Sequence, residues 1–245
     1  MMKRVIVTGG SRGIGRAIVQ RLAREGWDVH FTHLHAAEDA ASLQDEERAN
    51  GHQVRAHRSD QANPADHDTL LRAVRGEAED DLFLDALVIN AGIAMHAPLS
   101  EVREEDFDRV FATNVRGPLF LLQRAQRHLR DGGRVVVVSS TSTTWPSAGE
   151  AVYAASKAAL EQLCRVASRE LGQRRITVNA VSPGPTRTGF LDERVPPEAL
   201  TAVAGLTAMG RIGEPDDVAG VVSALLDERC GWLTGQNLRA DGGLT

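Results

Sequence analysis

An α/β fold, in which a doubly wound parallel sheet carries helices on both faces, is predicted for this 245-residue chain by three observations. Short apolar runs alternate with segments of helical spacing along the whole length. Two of the runs, Ala86 to Ile89 and Val135 to Val138, contain no polar residue, as strands covered on both faces require. The first run, Val5 to Val7, ends in a glycine cluster that opens straight into a helical pattern. Strands alternating with helices imply parallel pairing, because a tight hairpin can join only antiparallel neighbours.

In chain order, the strand Val5 to Val7 is followed by a helix from Ile14 to Leu22, whose Ile14, Ala17, Ile18 and Leu22 share one face. A strand at Val29 to Phe31 precedes a charged helix over 37–49. The acids Glu38, Asp39, Asp45, Glu46 and Glu47 belong to the solvated face of that helix, since nothing directs them at a common point, and no metal is expected. Next come a strand at Val54 to His57, a helix over 64–79, the buried strand Ala86 to Ile89, a long helix over 104–129 and the strand Val135 to Val138. A helix over 151–171, a strand at Ile176 to Val181, an irregular Pro/Gly segment, a helix over 215–228 and a strand at Asn237 to Arg239 complete the series. No linker, low-complexity tract or internal repeat interrupts it, so one domain over 1–245 is expected.

Composition narrows the function classes. The chain is 42% hydrophobic and 25% charged with a formal charge of -5, which offers no basic footprint for nucleic acid or an anionic membrane. Cys164 and Cys230 lie far apart and are expected to be structural thiols of a reducing compartment. No uncharged run reaches the ~18 residues of a membrane span. The first residues, MMKRVIVTGG, pass directly into a strand, so an unprocessed cytoplasmic protein is expected.

After the first strand stands Thr8-Gly9-Gly10-Ser11-Arg12-Gly13-Ile14-Gly15. Glycines at this spacing let the backbone turn sharply and approach a pyrophosphate resting on the N-terminus of the following helix. Further along come Asp60-Gln61 past the third strand, Asn90-Ala91-Gly92 past the fourth, Asn114 in the long helix, and Ser139-Ser140 at the end of the fifth strand. Then follow Tyr153-Ala154-Ala155-Ser156-Lys157, and Pro183-Gly184 with Thr186 and Thr188 beyond. Each motif alone is permissive, but in this order over nearly the whole chain they resemble the short-chain dehydrogenase/reductase family.

The resemblance implies a Rossmann-type sheet of about seven strands and a nicotinamide cofactor. It places Gly9, Ser11, Arg12, Gly13, Ile14 and Gly15 at the phosphates, Asp60 and Gln61 at the adenine, and Asn90, Ala91 and Gly92 along the cofactor floor. Pro183, Gly184, Thr186 and Thr188 would meet the nicotinamide carboxamide. Lys157 would also bind the nicotinamide ribose, and Asn114 would hold a water linking that lysine to bulk solvent. NADPH is expected over NADH, because Val29 to His35 contains no carboxylate for the ribose hydroxyls. Arg12, helped by His33 or His35, can instead face a 2′-phosphate.

Reducing a ketone needs hydride at carbon and a proton at oxygen. Tyr153, the only tyrosine, is the candidate donor. A free phenol titrates near pH ~10, and Lys157 at i+4 shares its helix face. A cation ~4 Å from a phenolate contributes up to ~4 kcal/mol at an effective dielectric of 20, or roughly three pK units. For the hydroxyl that orients the carbonyl, Ser139, Ser140, Thr141 and Ser142 are all available, and family spacing selects Ser140. No GxSxG surrounds it, so a serine hydrolase is not expected.

A substrate lid is expected at about 185–207, where Phe190, Leu191 and Val195 could cover an apolar substrate and Arg187 and Arg194 could meet an acyl or phosphate group. Trp145, Pro146 and Glu150 would line the pocket mouth. The segments ITVNAVSPG and LTGQNLRADGG are similar to 3-oxoacyl-carrier-protein reductases. Of two basic positions associated with carrier docking in that group, Arg174 matches one and Asp131 stands at the other, with Arg130 and Arg134 close by. The expected reaction is reduction of a 3-oxoacyl thioester, a carrier-bound acyl group or a polyketide-type ketone. The alternatives are an alcohol or sugar dehydrogenase working oxidatively, and a non-catalytic NADP(H) sensor. The intact set Asn114, Ser140, Tyr153 and Lys157 speaks against the sensor. Apolar residues on several faces of the helices 104–129 and 151–171 imply, with the family, a homotetramer.

Overall fold

The computed structural model describes residues 2–76, 80–145, 147–192, 196 and 199–245. Among them are the strands β1 (Arg4–Val7), β2 (Asp28–His33), β3 (Val54–Arg58), β4 (Leu84–Ile89), β5 (Leu129–Val138), β6 (Thr177–Pro183) and β7 (Asn237–Ala240). The helices are α1 (Gly13–Arg24), α2 (Ala37–Ala49), α3 (Pro64–Arg75), α4 (Glu104–Phe111), α5 (Gly117–Ala125), α6 (Ala151–Leu171), α7 (Gly189–Asp192), α8 (Leu200–Gly205) and α9 (Pro215–Leu226).

All strand pairs are parallel, in the order β3-β2-β1-β4-β5-β6-β7. Successive strand residues face opposite sides of the sheet. Val5 and Val7 therefore join a core with Ile18, Leu22, Phe31, Val222 and Leu225 under α1 and α9. Ile6 joins another with Leu87, Ile89, Leu121, Leu160 and Cys164 under α3, α5 and α6. This double burial is why β4 and β5 read as unbroken apolar runs. The strand order reverses between β1 and β4, and the loops leaving their C-terminal ends diverge there, which is where open sheets of this kind hold ligands.

Three expectations about elements need correction. The helix expected over 104–129 is two helices, α4 and α5, joined by a π turn at Ala112–Arg116, and it stops at Ala125. Apolar spacing continues across the turn, so periodicity alone could not reveal the extra residue. The helix expected over 64–79 ends at Arg75 with Gly76 at φ 56, a conformation that suits glycine; residues 77–79 lie outside the described residues. The stretch expected to be irregular carries α7 and α8.

Candidate active site

The glycine loop is built so that a ligand's phosphates and the protein backbone can meet. Gly9 has φ 65, and a Cβ on it would stand 2.9 Å from Ala91 Cα. A Cβ on Gly15 would lie 2.0 Å from the Gly9 carbonyl oxygen. Asn90 pins the loop from the neighbouring strand end, donating from Nδ2 to the carbonyls of Thr8 and Gly9, both at 3.0 Å. The Thr8 hydroxyl accepts from the N–H groups of Asn90 and Ala91, each at 3.0 Å. Arg12 at the N-cap makes no side-chain cap, and the first turn of α1 holds no acid. The first N–H groups of α1 thus keep their capacity for an anion, so the cradle fits a dinucleotide pyrophosphate.

Gly13 brings the far side of the cleft close, for a Cβ there would meet Thr188 Cγ2 at 3.2 Å. Thr188 donates to the Thr186 carbonyl at 3.3 Å, Thr186 donates to the Gly184 carbonyl at 2.9 Å, and Thr141 donates to the Pro183 carbonyl at 3.1 Å. The loop, the end of β5 and the segment 183–188 therefore surround one cleft. Asp60 caps its own turn, accepting from the Ala62 N–H at 2.8 Å through one carboxylate oxygen. Gln61 is buried and donates to the carbonyls of Ala91 at 2.7 Å and Thr113 at 3.0 Å. Its amide nitrogen ties the segment after β4 to the start of the π turn.

At the end of β2, His33 is paired in register with Arg58 of β3, so both side chains stand on the same face of the sheet. His33 Nδ1 is buried and has no hydrogen-bond partner among the described residues. Burial, and then the charge of Arg58, lower its pKa. Arg12 is exposed, with Nε 3.9 Å from Asp39. In the sequence Arg58 is one more arginine, and only the register with His33 marks it.

The candidate proton donor and its cation lie on α6. Tyr153 and Lys157 are both buried, and Lys157 Nζ lies 5.8 Å from the centre of the Tyr153 ring. Burial lowers the Lys157 pKa to about 8, while Glu161 acts in the opposite direction. Asn114, in the π turn, donates to the Ile93 carbonyl at 2.8 Å and Ser156 Oγ at 3.0 Å, and accepts from the Ile93 N–H at 2.9 Å. A Cβ on Gly92 would stand 3.2 Å from Asn114 Oδ1 and 3.3 Å from Lys157 Nζ, which puts all three around one point. The π turn rotates Asn114 to that point, as such turns often do at sites.

Ser140 heads the short turn Thr141–Thr143, and its Oγ accepts from the Ser142 N–H at 3.1 Å. Its hydroxyl also donates to Ser142 Oγ at 3.1 Å, which in turn donates to Glu150 Oε2 at 2.7 Å. Glu150, expected at the pocket mouth, is thus tied to Ser140 through one hydroxyl. Trp145 is 44% exposed. Pro146, Arg194 and Val195 lie outside the described residues, as does the side chain of Phe190.

Two of the basic residues named in the sequence are engaged in ion pairs. Arg187 donates to Glu214 at 3.1 Å in an exposed ion pair. Arg174 donates to Asp131 at 2.9 Å, to the Gln126 carbonyl at 2.6 Å and to the Leu129 carbonyl. Its guanidinium therefore staples the α5–β5 corner, and its fork is already filled.

A family model described as enoyl-(acyl carrier protein) reductase matches residues 9–245. The chain is 35% identical to versicolorin reductase stcU of Emericella nidulans, over 98% of this chain and 95% of that protein. It superposes on the angucycline C-6 ketoreductase LanV with bound NADP at TM-score 0.92 and 37% identity, covering 99% of this chain and 95% of that one. A blue fluorescent protein from a metagenomic library, in complex with NADPH, gives TM-score 0.92 at 37% identity, covering 99% and 98%.

Proposed function

This chain belongs to the short-chain dehydrogenase/reductase family, and within that family of oxidoreductases we propose that it is an NADPH-dependent ketoreductase acting on a free, polyketide-type ketone. The observation that carries the reading is the convergence of Tyr153, Lys157, Asn114 and Gly92 beside a cleft floored by the glycine loop. Bound NADPH would supply the hydride. Gly9, Gly13 and Gly15 admit its pyrophosphate to the N-terminus of α1, and Arg12, His33 and Arg58 face its 2′-phosphate. Asn90, Ala91, Pro183, Gly184, Thr186 and Thr188 hold the rest of it.

Ser140 Oγ and the Tyr153 hydroxyl converge on the substrate oxygen. Tyr153 donates its proton as the carbonyl becomes an alkoxide, and Lys157 stabilises the phenolate left behind. Asn114 fixes the backbone at Ile93 and, with Gly92, the edge of the path by which Lys157 is reprotonated. The segment 185–207, including α7 and α8, acts as the lid.

A free ketone is favoured over a carrier-bound one because Arg174 is closed against Asp131. The names of the relatives support a polyketide-type substrate, since one is a versicolorin reductase and another an angucycline ketoreductase. Exposed Phe107, Leu119 and Val166 on α4, α5 and α6 support a homotetramer, which light scattering tests. The function itself is tested by NADPH oxidation against polycyclic aromatic ketones, diketones and acetoacetyl thioesters, with Tyr153→Phe as control. Turnover of a cyclic ketone, lowered at least ~10²-fold by the substitution at unchanged NADPH affinity, is the expected result. Substantial turnover by Tyr153→Phe, or none by the unaltered protein with any ketone, would sink the reading.

A further inference from the structure

Glu161 lies one helical turn beyond Lys157, so Tyr153, Lys157 and Glu161 follow one another along a single face of α6. It is 8% exposed, and a carboxylate in such a place needs partners. Ser139 donates to its Oε1 at 2.7 Å and Thr143 at 2.8 Å, while Ser182 Oγ stands 3.3 Å away with Asn237 Oδ1 as a nearer acceptor at 2.8 Å. These hydroxyls come from three different places. Ser139 precedes Ser140, Thr143 closes the turn that Ser140 heads, and Ser182 precedes Pro183-Gly184. The end of β5 and the turn that Ser140 heads are therefore both held to one carboxylate oxygen, while Ser182 gives its one proton to Asn237.

We propose that Glu161 is a positioning residue for the reduction, holding the end of β5 and the Ser140 turn against α6 and placing a negative charge one helical turn from the buried Lys157. This rests on the reading of Tyr153 and Lys157 as the acid and its cation. A purely mechanical strut could be neutral, because a glutamine would accept the same hydroxyl bonds. The charge matters because of what surrounds Lys157. From α6 it is faced by Tyr153 and Glu161; the other elements offer the Val138 carbonyl of β5 at 2.9 Å, Gly92 after β4 and Asn114 of the π turn, all uncharged. Among the described residues Glu161 is thus the negative charge that offsets the burial of the ammonium.

The sign of the effect follows. Removing a negative charge eases loss of a proton from both Lys157 and Tyr153, so the first proton of the pair leaves at lower pH. Glu161→Gln keeps the shape and removes the charge. Its pH profile for kcat/KM in ketone reduction should have its alkaline limb at lower pH by at least ~0.5 unit, with kcat down about 10-fold and NADPH Kd within about 2-fold. Because Tyr153 is the only tyrosine, the ¹³Cζ resonance of tyrosine-labelled protein reads its titration without turnover, and that midpoint should move the same way.

Glu161→Asp keeps the charge but shortens the reach, so it should lower kcat while leaving the limb near its original pH. It also serves if the glutamine variant does not fold. An unchanged limb and unchanged resonance in folded Glu161→Gln would overturn the proposal, as would a limb displaced equally by Glu161→Asp. Either result with Tyr153→Phe inactive defeats only the role of Glu161, whereas an active Tyr153→Phe defeats the acid assignment beneath it.

Discussion

Lys157 donates its ammonium to the carbonyl of Val138 at 2.9 Å, so the buried cation is anchored to the C-terminal end of β5. That anchor fixes Nζ beside Gly92 and Asn114. It does not remove the cost of burial, which lowers the lysine from 10.5 to about 8. Unfolded protein then binds more protons than folded protein between those two values, so this group makes stability rise with pH across that window. Below pH 8 both states are protonated and the full cost is present. The gain on going from pH 8 to 10.5 amounts to ~3 kcal/mol. Denaturant unfolding of the unaltered protein and Lys157→Met should therefore differ by a pH-dependent amount, the lysine protein gaining on the methionine variant as pH rises. Parallel stability curves would contradict this.

Ser140 cannot give its one proton to both Ser142 and a substrate oxygen. When a ketone enters, its hydroxyl turns from Ser142 Oγ to the substrate, while the Ser142 N–H continues to hold Ser140 Oγ. Ser140→Ala should lower kcat/KM at least ~10²-fold. Ser142→Ala keeps the N–H and removes only the competing acceptor and its link to Glu150, so a loss below about 10-fold is expected. Steady-state kinetics of both variants decide the matter, and equal losses would mean that the turn acts as one rigid unit.

How much of this was legible in the sequence depended on whether a signal is local. The runs of β4 and β5, the glycine spacing and the i, i+4 pair of Tyr153 and Lys157 are local, and the structure places them as expected. The π turn around Asn114 is not, because its extra residue leaves the apolar pattern intact. In the sequence Arg174 and Asp131 stand as one basic position kept and one lost, yet 43 residues apart they bind each other. Glu161 looks in sequence like another acid on a helix. Its significance comes from Ser139, Thr143 and Ser182, which the sheet order brings to it.

The register of His33 with Arg58 bears on cofactor choice. Arg58 is exposed and carries no acidic partner among the described residues, so it can meet a phosphate without breaking an ion pair. Arg12 must first leave Asp39. Arg58→Ala should weaken NADPH at least ~10-fold, equivalent to 1.4 kcal/mol, while changing NADH less than about 2-fold. Fluorescence titration with the two nucleotides measures both. An equal loss for both would place Arg58 at a part of the cofactor that NADH shares.

Gly15 and Gly92 are both crowded, but by neighbours of different kinds, and the difference predicts opposite behaviour. An added Cβ at Gly15 meets the Gly9 carbonyl oxygen at 2.0 Å and Asn90 Nδ2 at 2.6 Å. Backbone held by Asn90 cannot give way there without opening the loop, so Gly15→Ala should destabilise the fold by at least ~2 kcal/mol and abolish NADPH binding. At Gly92 the Cβ meets Asn114 Oδ1 at 3.2 Å and Lys157 Nζ at 3.3 Å, side-chain atoms that can move by a few tenths of an ångström. Asn114 is held by three hydrogen bonds, whereas Lys157 ends a flexible stem whose ammonium donates to the Val138 carbonyl, so the lysine gives way first. Gly92→Ala should accordingly keep its melting temperature within a few degrees and its NADPH Kd within about 3-fold, yet lose about 10-fold or more in kcat. Melting, nucleotide titration and turnover on the two variants separate a loop that must accept a phosphate from a gap that must leave a cation in place.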